Sequence, residues 1–358
     1  MNKVKVLITD DSIFMRKLLS DLLAKHPALE VVATANNGKD AIEKIKLYNP
    51  DVITMDVEMP QMNGLEALKI IMETNPVPTI MLSSTTKEGS LNTIIAMENG
   101  AVDFVAKPSG AISLDIHKVK AELIEKILLA SQSNLQSFKY TYEKKNKNQI
   151  SKSVQRKNTN PISYKKKRKP LVCIGTSTGG PRALQTILAE FPNSFPAPIF
   201  IVQHMPKFFT KSLANRLNTM SNIVVVEAEH NQKVEEGTAY IAPGDYHMHI
   251  VEKKGELYIN LDESPPMKGH RPSVDHLFSS ISNLSGFEKV AVILTGMGND
   301  GTAGIQELKK YENTICIAES EETAVVYGMP KAAVLSGNVD EVHQLGDIAQ
   351  RLQEIIIV

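Results

Sequence analysis

At 358 residues the chain is long enough for two domains of ordinary size. Its 40 basic and 40 acidic side chains cancel, so no bulk charge marks a nucleic-acid or membrane-surface binder. No apolar run approaches the roughly 20 residues that span a bilayer, and two widely spaced cysteines, Cys173 and Cys316, exclude a disulfide framework or a CxxC pair.

The chain opens on Val4–Thr9, an apolar run into Asp10 and Asp11 that reads as a first strand rather than a signal peptide. A helical pattern over Ile13–Lys25 follows, then a strand at Val31–Ala35, a helix over Gly38–Leu47, and strands at Val52–Met55, Thr79–Ser83 and Phe104–Ala106. That alternation predicts parallel strands joined by crossover helices. In such a sheet the C-terminal strand ends share one edge, where ligands bind. Asp10 and Asp11 end the first strand, Asp56 the third and Ser83 the fourth, and Lys107 follows the fifth. Taken singly, each is read as a solvated strand-end group; their placement on separate strand ends favours a shared site. Carboxylates gathered there repel one another, so a divalent cation is expected, and hard oxygen donors select Mg²⁺. A carboxylate beside Mg²⁺ and an ammonium can attack phosphorus, because the cations neutralise the transferring group.

Residues 1–127 resemble the response-regulator receiver domain on these positions. The resemblance implies metal binding by Asp10, Asp11 and Asp56, with Asp56 as the phosphoacceptor. It also implies phosphoryl contact by Lys107, a hydroxyl switch at Ser83, an aromatic switch at Phe104 and a cis turn at Lys107-Pro108. Beyond it, residues 128–169 shift toward Gln, Asn, Ser and Lys and end in Lys165-Lys166-Lys167-Arg168-Lys169. This stretch reads as a polar, basic linker, because such a composition buries too little apolar surface to order itself. The basic run is expected to be solvated rather than to hold nucleic acid or lipid.

Strand–helix alternation resumes over 170–358. Strands are predicted at Leu171–Ile174, Ile199–Gln203, Ile223–Glu227, Ala239–Ala242 and Val290–Leu294, with a hairpin from His247–Val251 and Leu257–Leu261. The fold class is therefore α/β: two doubly wound parallel-sheet domains, one flavodoxin-like and one Rossmann-like. Cys173 and Cys316 read as buried strand thiols.

Gly175-Thr176-Ser177-Thr178-Gly179-Gly180 follows the first of these strands and opens a helical pattern. The spacing fits the G-x-S-x-G turn that presents a nucleophilic serine, with helix N–H groups nearby for an oxyanion. A phosphate-cradling loop has the same local look. Serine needs a base, and the base needs a carboxylate. His204 closes the strand Ile199–Gln203, although a structural histidine would read alike. Asp300 sits in Thr295-Gly296-Met297-Gly298-Asn299-Asp300-Gly301, where another strand runs through a glycine-rich loop into a helix over Thr302–Lys310. Three strand ends thus bring Ser, His and Asp to one edge, which favours the catalytic reading; chain order does not matter, because geometry defines a triad. Other candidates are weaker. His247 and His249 share a strand face as metal ligands would, but with no further Cys or His close by a structural role is expected. Gly298, Gly301 and Gly304 lack dinucleotide spacing, and Arg271 is open between a substrate carboxylate and an internal partner.

With Arg271-Pro272-Ser273-Val274-Asp275 and Gln203-His204-Met205-Pro206, these motifs resemble the catalytic domain of the chemotaxis protein-glutamate methylesterase (CheB) family. Thr176 stands where that family is expected to have alanine, and Lys207 where it often has a second proline. The resemblance implies Ser177 as nucleophile, His204 as base, Asp300 as orienter and the Met297 backbone N–H as oxyanion donor, with Thr178 adjacent. It implies hydrolysis of glutamate γ-methyl esters on chemoreceptor cytoplasmic helices, deamidation of receptor glutamines, and no cofactor for the esterase step. It further implies a cytoplasmic protein without membrane insertion, phosphorylated by the chemotaxis histidine kinase, whose receiver gates the triad. The alternatives are a phosphorylation-gated receptor-binding module and an esterase for another substrate.

Overall fold

The computed structural model describes residues 3–107, 116–135, 169–311 and 314–357. The chain divides into two compact units, Met1–Leu135 and Gln136–Val358. The first has strands β1 (Val4–Thr9), β2 (Leu29–Ala35), β3 (Val52–Asp56), β4 (Thr79–Ser83) and β5 (Asp103–Ala106). They form one sheet in the order β2-β1-β3-β4-β5, with every pairing parallel. Helices α1 (Ile13–Leu23), α2 (Gly38–Tyr48), α3 (Gly64–Thr74), α4 (Lys87–Glu98) and α5 (Ile116–Ala130) make the connections. Both faces of the central strands are buried, so Val6, Leu7, Ile8, Val52, Ile53 and Met55 read as apolar runs without alternation. Helices start where short polar side chains can cap them. Ser12 accepts from the Met15 N–H, and Asn63 forms a capping box with Glu66. With Ser12 capping α1, Asp10 and Asp11 are left at the strand end.

The second unit holds a seven-stranded sheet, order β14-β13-β12-β6-β7-β9-β8, again parallel in every pairing. Its strands are β6 (Lys169–Thr176), β7 (Ile199–Gln203), β8 (Val224–Glu227), β9 (Thr238–Ile241), β12 (Phe287–Ile293), β13 (Thr314–Glu319) and β14 (Glu341–His343). The last two were not among the predicted strands. Strand order turns back at β6, which lies between β7 and β12, and that reversal opens a crevice at the strand C-termini. The expected hairpin is present as an antiparallel pair, β10 (His247–Lys253) with β11 (Glu256–Asp262). Helices α6 (Gly180–Leu188), α7 (Phe209–Met220), α8 (Val274–Ser282), α9 (Thr302–Leu308), α10 (Met329–Leu335) and α11 (Leu345–Ile357) complete the unit. Its core joins Phe200, Tyr240, Met248, Ile259 and Phe278 around β6, and both cysteines are buried and free.

Two limits of the expected linker shift. Residues 128–130 continue α5 and Lys169 opens β6, while residues 136–168 lie outside the described residues. Pro108, which the cis-turn expectation needs, lies outside them too. Among the described residues no helix is long and apolar enough to cross a membrane.

Candidate active site and receiver acid cluster

In the second unit, β12, β6 and β7 are adjacent: Ser177 directly follows β6, His204 directly follows β7, and Asp300 lies in the loop between β12 and α9. Register pairs Thr176 with Gln203 and Ile293 with Gly175, so Ser177, His204 and the Thr295–Gly301 loop leave the sheet side by side. Backbone bonds lock the three turns together. The Ser177 N–H donates to Thr295 O (3.0 Å) and the His204 N–H to Thr176 O (3.1 Å). The Gln203 amide donates to Ser177 O at 2.9 Å. In the turn itself the left-handed residue is Gly179, with φ 79°, and not Ser177.

His204 Nε2 lies 2.8 Å from Asp300 Oδ2. Asp300 collects further donors. Val274 N–H reaches Oδ2 at 2.7 Å. The Ser273 hydroxyl (2.9 Å), Asp275 N–H (2.9 Å) and Gly301 N–H (3.0 Å) reach Oδ1. Burial alone would raise this carboxyl. The hydrogen bond and charge of His204 and the backbone donors outweigh it and hold the group well below the usual carboxylate range. Asp300 is therefore an anion, and the His204 proton belongs on Nε2. The other ring nitrogen, Nδ1, is buried and has no hydrogen-bond partner among the described residues. The bond from Ser177 to this nitrogen is thus not formed, as is common for catalytic groups without substrate.

His270 stacks on His204, ring centroids 3.9 Å apart and planes 1° from parallel. Burial, then the neighbouring His204, pushes its pKa down to about 4, so a neutral ring fixes the plane of His204 near pH 7. Gly296 brings the β12 loop onto the serine. A Cβ there would lie 2.8 Å from Ser177 Cβ and 2.5 Å from Met329 Sδ. The next residue is Met297, whose N–H has no acceptor among the described residues. A serine hydroxyl, an imidazole lone pair and a free N–H at one sheet edge can perform acyl transfer. Behind the loop, Glu319 on β13 accepts from Thr295 N–H at 2.8 Å, and burial pushes its pKa up to about 7.

Ser273, His270 and Glu319 were not singled out from sequence. Ser273 carried a signal, as a helix cap inside the Arg271–Asp275 motif. Thr178 is buried and its carbonyl accepts from the Thr295 hydroxyl at 2.9 Å. Thr176 is buried with its hydroxyl on Thr295 O at 2.9 Å, so the departure from alanine adds a bond between β6 and the loop that follows β12. Arg271 has internal partners, donating to Glu263 O at 2.6 Å and Ser264 O at 3.1 Å. Lys207 is exposed and lies over the Phe208 ring.

In the first unit, Asp10, Asp11 and Asp56 offer carboxylate oxygens that all lie within 4.8 Å of one another. Lys107 Nζ bridges Asp10 (2.9 Å) and Asp56 (2.7 Å). Burial pushes Asp56 up to about 6 against the pull of Lys107, so the carboxylate is short of positive charge. Three close oxygen donors with that deficit fit a hard divalent ion. Gly64 is a position sequence reasoning missed: a Cβ there would collide with Asp56 O. The Ser83 hydroxyl donates to Gly89 O at 3.0 Å, and Phe104 is buried with Lys126 Nζ 5.2 Å from its ring centroid.

The chain matches the CheB methylesterase family over residues 172–352 and the response regulator receiver domain over 6–117. A protein-glutamate methylesterase/protein-glutamine glutaminase from Geobacillus kaustophilus is 53% identical over 359 residues, covering 99% of both chains. The protein of that name from Bacillus subtilis is 45% identical over 99% of this chain and 98% of its own. Among solved structures, the Thermotoga maritima CheB methylesterase catalytic domain is similar at 44% identity with a TM-score of 0.51. It covers 53% of this chain and 98% of that one. By fold and by full-length similarity, this chain belongs to the CheB methylesterase family and carries a response-regulator receiver domain ahead of its methylesterase domain.

Proposed function

We propose that this protein hydrolyses glutamate γ-methyl esters on chemoreceptors, releasing methanol, and deamidates receptor glutamines by the same acyl chemistry. The observation that carries this is the 2.8 Å His204–Asp300 pair, whose second imidazole nitrogen is left open on the strand beside Ser177. Ser177 attacks the ester or amide carbonyl, and its proton passes to His204 Nδ1. Asp300 holds the Nε2–H tautomer and stabilises the imidazolium. The Met297 N–H receives the oxyanion. His204 then protonates the leaving methanol or ammonia, and water, deprotonated by the same nitrogen, releases glutamate. The test is methanol release from methylated receptor membranes, with and without a small phosphodonor. A protein that binds such membranes yet releases none, and resists a serine-directed fluorophosphonate, is a binding module instead.

The receiver controls this activity. Asp56 accepts a phosphoryl group from the chemotaxis histidine kinase in the cytoplasm, and Lys107 pairs with it. Asp10, Asp11 and Asp56 hold Mg²⁺, which when bound offsets the negative charge of the phosphoryl group. Ser83 exchanges Gly89 O for a phosphoryl oxygen, and Phe104 follows it as the aromatic switch. Asp56→Asn is expected to keep basal esterase activity and to show no stimulation by acetyl phosphate; stimulation equal to the parent's would rule out Asp56 as the acceptor. Asp11→Ala is expected to lose Mg²⁺ binding by calorimetry together with phosphorylation, which EDTA should also abolish in the parent. Phosphorylation that persists in EDTA contradicts the metal assignment.

A further inference from the structure

The hairpin of the catalytic unit carries a second cluster. Across β10–β11, His247 pairs with Asp262 and His249 with Asn260, so all four side chains stand on one hairpin face. The face is met by α8, which contributes His276 and which sequence distance had hidden from the His247/His249 pair. His249 Nδ1 lies 3.1 Å from His276 Nε2 and 3.2 Å from Asp262 Oδ2. His276 Nε2 lies 3.6 Å from the same Asp262 oxygen.

We infer that His249, Asp262 and His276 form a binding site for a divalent metal ion of zinc's borderline softness. Bonds of about 2.0–2.2 Å from a tetrahedral ion to nitrogen and oxygen place neighbouring donors about 3.3–3.5 Å apart. The three observed separations of 3.1, 3.2 and 3.6 Å bracket that value, with one donor atom from each residue. Two imidazoles with one carboxylate suit Zn²⁺, whereas the all-oxygen receiver cluster suits Mg²⁺. The surroundings orient the donors. His249 Nε2 is 2.8 Å from the Asn260 amide, which after a half rotation presents its oxygen to an Nε2–H. Asp262 Oδ1 is held by Ser264 N–H at 2.8 Å, leaving Oδ2 for the ion. His276 is stacked by His247, centroids 4.4 Å apart, and the His247 Nε2 in turn lies 3.2 Å from Pro265 O. His249 and His276 also line a surface cleft with Met267, Glu252 and Ser279, which leaves a fourth position for water or an exchangeable ligand.

The site would be tied to the triad through α8. His276 directly follows Asp275, whose N–H, with those of Val274 and the Ser273 hydroxyl, holds Asp300. An ion between hairpin and helix braces the segment that positions that carboxylate.

The test uses the full chain, stripped with EDTA and titrated with Co²⁺ in excess Mg²⁺ to fill the receiver. One equivalent of Co²⁺ with the intense visible bands of tetrahedral coordination is expected, displaced by Zn²⁺. His249→Gln and His276→Gln should abolish the bands, and Asn260→Leu should weaken binding by about 10-fold or more through loss of the supporting amide. His204→Gln should retain them. Zn²⁺ should also raise the unfolding temperature of the parent and not of Asp262→Asn, a readout that holds where a histidine variant folds poorly. Absence of tetrahedral bands in the parent, bands that survive His249→Gln, or bands lost in His204→Gln would overturn the assignment.

Discussion

Ser177→Ala is expected to leave the catalytic unit folded and to lower methanol release by about 10⁶-fold, equivalent to about 8 kcal/mol of barrier. The two halves of this expectation rest on different atoms. The fold uses the Ser177 backbone. Its N–H bonds Thr295 O at 3.0 Å, and its carbonyl accepts from Gly180 N–H at 2.8 Å and the Gln203 amide at 2.9 Å. An alanine keeps all of these. In the proposed mechanism the chemistry uses Oγ as the attacking atom, at an edge where His204 Nδ1 and the Met297 N–H are already placed. Circular dichroism should therefore match the parent while the receptor-membrane assay collapses. Turnover within tenfold of the parent would show that another group, or a bound hydroxide, is the nucleophile.

The sheets and their working edges were legible in the sequence because parallel strands covered on both faces print as short apolar runs. Several of these runs lead into a polar or charged residue whose place there is explained by a shared edge. Asp10, Asp56, Ser177 and His204 are all of this kind. What stayed hidden depended on contacts across the chain. β14 is three residues long at a sheet edge, too short to show a period. β13, Thr314–Glu319, is an apolar run like the others but carries no motif at its end, only Glu319, whose partner lies 24 residues away in sequence. His270 stacks on His204 from a loop, and a lone histidine before Arg271 gives no sign of that. The Asp262–His276 half of the hairpin cluster follows from strand register and from the seat of α8, neither of which the His247-Met248-His249 pattern contains. The glycine turn was legible as a turn, but the left-handed backbone falls on Gly179 rather than on the serine.

Asp300→Asn is expected to cost about 10⁴-fold in turnover with the protein still folded. Five donors meet this carboxylate, and Oδ1 satisfies three of them: Ser273 Oγ, Asp275 N–H and Gly301 N–H. An asparagine that keeps its oxygen there must put its NH₂ where Oδ2 now accepts from His204 Nε2 at 2.8 Å and Val274 N–H at 2.7 Å. The amide then donates to Nε2 and drives the imidazole proton onto Nδ1, the nitrogen that must take the serine proton. It also leaves the Val274 N–H facing a donor, a buried loss of about 1–3 kcal/mol. The variant should bind receptor membranes like the parent, fail in kcat, and show the exchanged tautomer by ¹⁵N NMR of His204. The variant should be less stable than the parent at neutral pH, and the gap should narrow as pH falls. Because the folded Asp300 carboxyl lies below its ordinary value, the unfolded chain takes up that proton first. The stabilisation is full above about pH 4 and fades as pH falls toward the lower folded value. The asparagine protein should lack that acid-side slope. A variant that keeps parental turnover, or loses it with the His204 proton still on Nε2, would mean that Asp300 acts on something other than the tautomer.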